Sequence, residues 1–274
     1  MGRGVYVPAA PASSPDRRRE LALARIKGLD ERLTAPHWFS HQSAALVWGL
    51  PLWSLPTTTH VLREHRRSGR RNAQVTPHFG VPADDERTVV NGVPVTTLER
   101  TVVDCACLLG PLPGLVVADG AVRRGADPAV LRRLLSERAG RRGIASARAV
   151  VELADEGAES PGETATRFVV TRDGLPPPQT QVPISTHLGM FWADMGWAEW
   201  RLLLEYDGRG KYAERATDEF IKEKRRHDAI QEAGWRSVRV TKEDLRGTAL
   251  TSRLRPFLPP TVAASLRPRA DLLG

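Results

Sequence analysis

Cysteine is nearly absent: the 274 residues contain two, Cys105 and Cys107. Two thiols are too few for a disulfide framework or a complete zinc site. An i, i+2 pair on a helix also points to different faces, so both read as reduced thiols in or near a core. Long apolar runs are missing as well. No stretch approaches the roughly 20 apolar residues of a membrane span, and residues 1–12 lack the apolar run of a secretory leader. The expectation is a cytoplasmic chain without a membrane segment. Lysine is scarce, with Lys27, Lys211, Lys222, Lys224 and Lys242 the five among 40 basic residues. An arginine excess of this kind also arises from GC-rich coding, so it is given little weight. No internal repeat is visible.

What the chain does have is positive charge, +8 in all. Each phosphate neutralised by a basic side chain releases counterions, so this balance favours a polyanionic partner. It does not by itself specify a fold or a reaction. The length suggests two domains, placed at residues 1–150 and 151–274 with the boundary near 140–155. In the first, helices are expected over 16–30, stopped by Gly28, and over 40–50, capped by Ser40 and ended by Gly49. Threonine- and valine-rich strands follow at 58–62, 73–79 and 88–95, the last with an Asn91-Gly92 turn. Further helices are expected at 98–109, 115–123 and 128–137, with a glycine and proline loop at 110–114. A short strand is expected at 3–7. His41 and His78 have no partner at a suggestive spacing and are read as structural or surface residues.

The second domain opens on Ser160-Pro161-Gly162-Glu163, a capping box with proline at the first helical position. Strands are expected at 181–185, 190–194, 201–207 and 235–241, with a long charged helix at 217–233 before the last. The order helix, three strands, helix, strand predicts an α/β fold with helices on a mixed sheet, α+β in the wider sense. Alternation on the 201–207 strand puts Glu205 and Asp207 on one face, Leu204 and Tyr206 on the other. A hairpin turning near 198–199 sets Asp194 beside Glu205. Such carboxylates repel unless a positive charge compensates, and a hard cation is the usual remedy. Glu163 could approach the same edge from its helix, although the capping box alone explains it. Lys211 is a candidate phosphate contact or water activator, or a surface lysine. Lys222, Lys224, Arg225 and Arg226 form either a DNA-facing or a merely solvated helix surface.

Glu159 to Glu163, Gly174-Leu175-Pro176, Ala193-Asp194, Leu204-Glu205-Tyr206-Asp207-Gly208, Arg225-Arg226 and Gly234 to Val240 occur in an order that resembles a bacterial domain family related to the very-short-patch repair (Vsr-like) endonucleases. That resemblance covers about residues 159–245 and implies a PD-(D/E)XK nuclease fold, Mg2+ or Mn2+ as cofactor and DNA as substrate. By it Asp194 is the principal metal ligand, with Glu205 and Asp207 beside it and Glu163 from the helix. Where the superfamily's third motif ends in lysine, this chain has Asp207; where related domains carry histidine after the Asp-Gly, it has Lys211. In the first half, Arg3-Gly4-Val5-Tyr6, Ser40 to Ala45 and Val95 to Asp104 resemble AbiEi-type abortive-infection antitoxins and regulators. In that family a winged helix-turn-helix precedes the Arg-Gly-Val-Tyr strand on which this sequence opens.

Two functions follow. One is a metal-dependent DNA endonuclease with Glu163, Asp194, Glu205, Asp207 and Lys211 as its catalytic set, Asp194, Glu205 and Asp207 as metal ligands, and Lys222, Arg225 and Arg226 on nucleic acid. The other is a non-catalytic regulator or antitoxin of a toxin-antitoxin or phage-defence system, with a cognate toxin as partner.

Overall fold

A computed structural model describes residues 15–65, 72–208 and 217–273. The chain divides into two compact units, Met1–Ala154 and Asp155–Gly274. Both are mixtures of helix and strand, each around a mixed sheet, so the class is α/β.

The first unit begins with α1 (Pro15–Asp30), β1 (His37–Phe39), α2 (His41–Val47), β2 (Thr59–Arg63), β3 (Val75–Phe79), β4 (Arg87–Val90) and β5 (Val93–Thr96). Gly28 lies inside α1 and does not stop it. The sheet order is β3-β2-β1-β5-β4. Its central strand β1 runs antiparallel to β2 and parallel to β5. Three residues give too short an alternation to be read from the sequence, yet Phe39 is fully buried among Leu46, Val61 and Val95. The β4–β5 hairpin turns at Asn91-Gly92 as expected: both residues have positive φ, 50° and 79°, the type I′ requirement. The strand expected at 3–7 lies outside the described residues.

The helices α3 (Leu98–Leu109), α4 (Pro111–Arg123), α5 (Pro128–Glu137) and α6 (Ile144–Leu153) complete this unit. Thr97 caps α3 by accepting from the Arg100 N–H, and Asp127 caps α5 through the Ala129 N–H. The loop expected at 110–114 is instead the first turn of α4, because Pro111 sits where a missing N–H costs nothing. α6 occupies most of the 140–155 stretch in which the domain boundary was expected. Cys105 and Cys107 are both free thiols, the first buried.

The second unit runs α7 (Pro161–Arg172), β6 (Gln179–Thr186), β7 (Gly189–Trp197), β8 (Leu202–Tyr206), α8 (Thr217–Glu232), β9 (Arg236–Val240), then short helices α9 (Ala249–Leu254) and α10 (Pro260–Ser265). Sheet order is β6-β7-β8-β9, with β6, β7 and β8 antiparallel. β9 lies parallel to β8 and is reached through the crossover helix α8. Leu203 packs with Ile230 of α8 in the cluster that holds Val182, Ile184 and Ala193. Alternation then turns Glu205 toward α8 and Leu204 and Tyr206 toward α7. The Tyr206 ring lies so close to Gly162 of α7 that a Cβ there would overlap it. Among the described residues, no helix is long and apolar enough to cross a membrane.

Candidate functional site

At the C-terminal end of β8, Asp194, Glu205, Asp207, Glu223, Arg226 and Arg239 line an open polar cleft of about 240 Å³. The β7–β8 register pairs Met195 with Leu204. The next positions along, Asp194 and Glu205, lie just beyond the paired residues, and both line the cleft. Tyr206 donates its backbone N–H to Asp194 Oδ2 at 2.7 Å, so a side chain takes a place that a strand carbonyl would otherwise fill. Burial pushes the Asp194 carboxyl up to about 6, and the Glu163 and Glu205 carboxylates add to the rise; the Tyr206 N–H and Arg226 oppose it. Burial is the largest of these effects, and the neighbouring carboxylates contribute less.

Glu205 is held from two sides. Arg226 of α8 donates to it at 2.7 Å, and Ser237 Oγ of β9 at 3.2 Å. Arg226 also donates to the Trp192 carbonyl at 3.0 Å. It thus faces into the cleft rather than outward. Lys222 and Arg225 are exposed on the same helix. Asp207 stands 4.0 Å from Arg239, which pairs with Glu223 at 2.6 Å.

Glu163 is engaged mainly as a helix cap. Its carboxylate accepts from Ser160 Oγ at 2.8 Å and from the Glu159 N–H at 2.7 Å, while its own N–H donates to Ser160 Oγ at 3.2 Å. It reaches Asp194 as a charge rather than as a neighbour in a tight ligand set. Among the described residues, Glu163, Asp194, Glu205 and Asp207 supply no three carboxylates with oxygens within 4.8 Å of one another. Lys211 lies outside the described residues.

Among the described residues, the group that does meet that distance joins His41 and His78, expected to be structural or surface residues, with His60. His41 at the start of α2, His60 on β2 and His78 on β3 bring their ring nitrogens within 4.8 Å of one another. The parallel β2–β3 register pairs Leu62 with His78 and His60 with Thr76. The spacing gave no hint, because 19 and 18 residues separate the three in sequence; only the strand pairing joins them.

Comparison with known proteins adds little chemistry. No protein-family model matches the chain, and no solved structure does. It is 35% identical over 159 residues to an uncharacterized protein of Mycobacterium tuberculosis, in strains CDC 1551 and H37Rv alike. The match covers 57% of this chain and 58% of that relative's own length.

Proposed function

We propose that the Asp155–Gly274 unit is a PD-(D/E)XK-type nuclease module that hydrolyses DNA phosphodiesters with a divalent cation, Mg2+ or Mn2+, held by Asp194 and Glu205. The observation that carries this reading is the crowding at Asp194: a half-buried carboxyl raised to about 6 by burial and by Glu163 and Glu205, in an open cleft. The donor set fits the ion. Magnesium keeps several waters and takes one or two protein carboxylates, the phosphate supplying the rest, so two carboxylates lining one cleft suffice without a third. Bound there, the cation would supply positive charge to the phosphate and lower the pKa of a water.

The chain's own residues do the positioning. The Tyr206 N–H fixes the Asp194 carboxylate, and Ser237 with Arg226 fixes Glu205. Arg226 and Arg239 offer guanidinium groups at the cleft, suited to phosphate oxygens. Lys222 and Arg225 extend that basic surface along α8. Asp207, beside Arg239, adds charge at the rim. The order of carboxylates along the chain, helix, strand, strand, supports the reading, as it resembles the Vsr-like pattern.

A second reading rests on one contact. The 2.7 Å Arg226–Glu205 pair already neutralises Glu205 with a guanidinium, which suits a nuclease-like domain that binds nucleic acid or a toxin without cutting, as an AbiEi-type regulator would. A nicking assay on supercoiled plasmid with Mg2+ or Mn2+ separates the two. The nuclease reading expects metal-dependent cleavage lost by about 100-fold or more in Asp194→Ala and Glu205→Ala. Salt-sensitive DNA binding without cleavage, unchanged in both variants, supports the regulator instead.

A further inference from the structure

We propose that His41, His60 and His78 form a binding site for a first-row transition metal of the zinc class in the Met1–Ala154 unit, a site separate from the carboxylate cleft. The three side chains come from three elements, α2, β2 and β3, and their nitrogens lie within 4.8 Å of one another. His60 Nδ1 and His78 Nε2 are 3.0 Å apart. In a tetrahedral site with nitrogen ligands at about 2.0–2.1 Å, neighbouring nitrogens stand about 3.3 Å from each other. One pair is therefore already near that separation. The rings of His41 and His78 stack at 3.8 Å, which keeps the third ring beside the other two.

The His41 ring is oriented by its surroundings, and β2 is tied to the helix that carries it. His41 Nδ1 meets Ser40 Oγ at 2.9 Å, which leaves Nε2 for a ligand. The His60 backbone N–H donates to Ser43 Oγ at 2.8 Å, tying β2 to α2. Outer contacts of this kind fix ring orientation around bound metals. His41 also adopts φ 52°. A left-handed conformation in a non-glycine residue costs of order 1 kcal/mol or more and persists where the surroundings impose it, often at ligand clamps. Here it turns the first residue of α2 back toward β2 and β3.

The electrostatics agree with a ligand role. Burial pushes all three imidazoles down, His60 to about 4, with mutual repulsion and Arg100 adding to the effect. All three are thus neutral near physiological pH and carry the lone pairs that a metal requires. The Arg100 charge facing them is itself balanced, by Asp104 at 2.9 Å and Glu86 at 2.5 Å. Imidazole ligands select zinc, copper, nickel and iron over magnesium. Three protein nitrogens leave a fourth position for water.

The test is titration of the untagged full-length chain with Zn2+ by calorimetry, and with Co2+ by visible absorption, which reports tetrahedral nitrogen ligation directly. With millimolar Mg2+ present to occupy the cleft, about one tight equivalent is expected, with binding weakened at least about 100-fold in His78→Asn and in His41→Gln. It is unchanged in His187→Asn and is not displaced by millimolar Mg2+, which separates this site from stray histidines and from the cleft. Should either triad variant fail to fold, the cobalt spectrum of the unaltered chain still decides, since only a bound tetrahedral ion gives intense visible bands. No such spectrum, or equal zinc affinity in the two folded triad variants, overturns the proposal.

Discussion

Asp194 receives the backbone N–H of Tyr206 at 2.7 Å, and this bond sets the cleft's geometry. Asp194 sits on β7, Tyr206 on β8, so the acidic side chain is fixed by the strand that also carries Glu205. The tyrosine ring meanwhile rests against Gly162 of α7, at the helix end where Glu163 is held in its cap. The backbone and ring of Tyr206 therefore join Asp194 to the start of α7.

The charge at Asp194 opposes folding while the bond to Tyr206 favours it. Asp194→Asn keeps an oxygen acceptor for the Tyr206 N–H and removes the repulsion from Glu163 and Glu205. Without divalent cation, this variant is expected to melt a few degrees higher than the unaltered chain at neutral pH while losing any nuclease activity. A clear fall in melting temperature counts against the crowded-carboxylate account.

Arg226 should compete with a cation for Glu205. In Arg226→Gln, Glu205 loses its partner, and stability without divalent ions should fall by about 1–3 kcal/mol. Mg2+ should restore part of that loss, and its affinity should rise. Thermal melts with chelator and with millimolar Mg2+ measure both; equal melts in the two conditions would deny that Glu205 faces a cation site.

The glycine at position 162 is required by packing. Gly162→Ala pushes a methyl into the Tyr206 ring, an overpacking expected to cost about 1–3 kcal/mol. Because Tyr206 orients Asp194, cleavage should fall further than stability alone explains. Urea unfolding beside a nicking assay tests both.

In the first unit, Glu86 is buried between Arg100 and Arg138 and accepts from both. The two guanidiniums hold its carboxyl below the usual value of 4.5 despite burial. The unfolded chain therefore takes up the proton first as pH falls, so the stability Glu86 contributes is present above pH 4.5 and lost below it. Asp104, on the other side of Arg100, is raised by burial and acts in the opposite sense. Glu86→Gln should cost about 3–5 kcal/mol near neutrality by stranding buried arginines. The difference between it and the unaltered chain should shrink in acid; urea midpoints across pH that stay parallel would contradict this.

Local chemistry was legible where the sequence states it outright. Asn91-Gly92 gives a turn because both positions need positive φ, and Ser160 with Glu163 gives a helix start because the side chains and N–H groups answer each other. That Asp194 and Glu205 line one cleft follows from the β7–β8 hairpin. β1 was not legible, because three residues carry no periodicity and its burial comes from neighbours on both sides. The histidine cluster was not legible either: a parallel β2–β3 pairing has no local signal, and His41 joins it through a backbone conformation the sequence does not announce. Arg226 read as a surface cation because helix position alone cannot tell that it turns onto Glu205.

The account's central claim is that Asp194 and Glu205 share a hard divalent cation. Direct titration of the full chain with Mn2+, followed by the loss of its free-ion paramagnetic resonance signal, tests it without reference to substrate. The account predicts a bound Mn2+ that Mg2+ displaces, that disappears in Asp194→Asn and Glu205→Gln, and that persists in His78→Asn. Binding that is absent, or that survives both carboxylate substitutions, would contradict it.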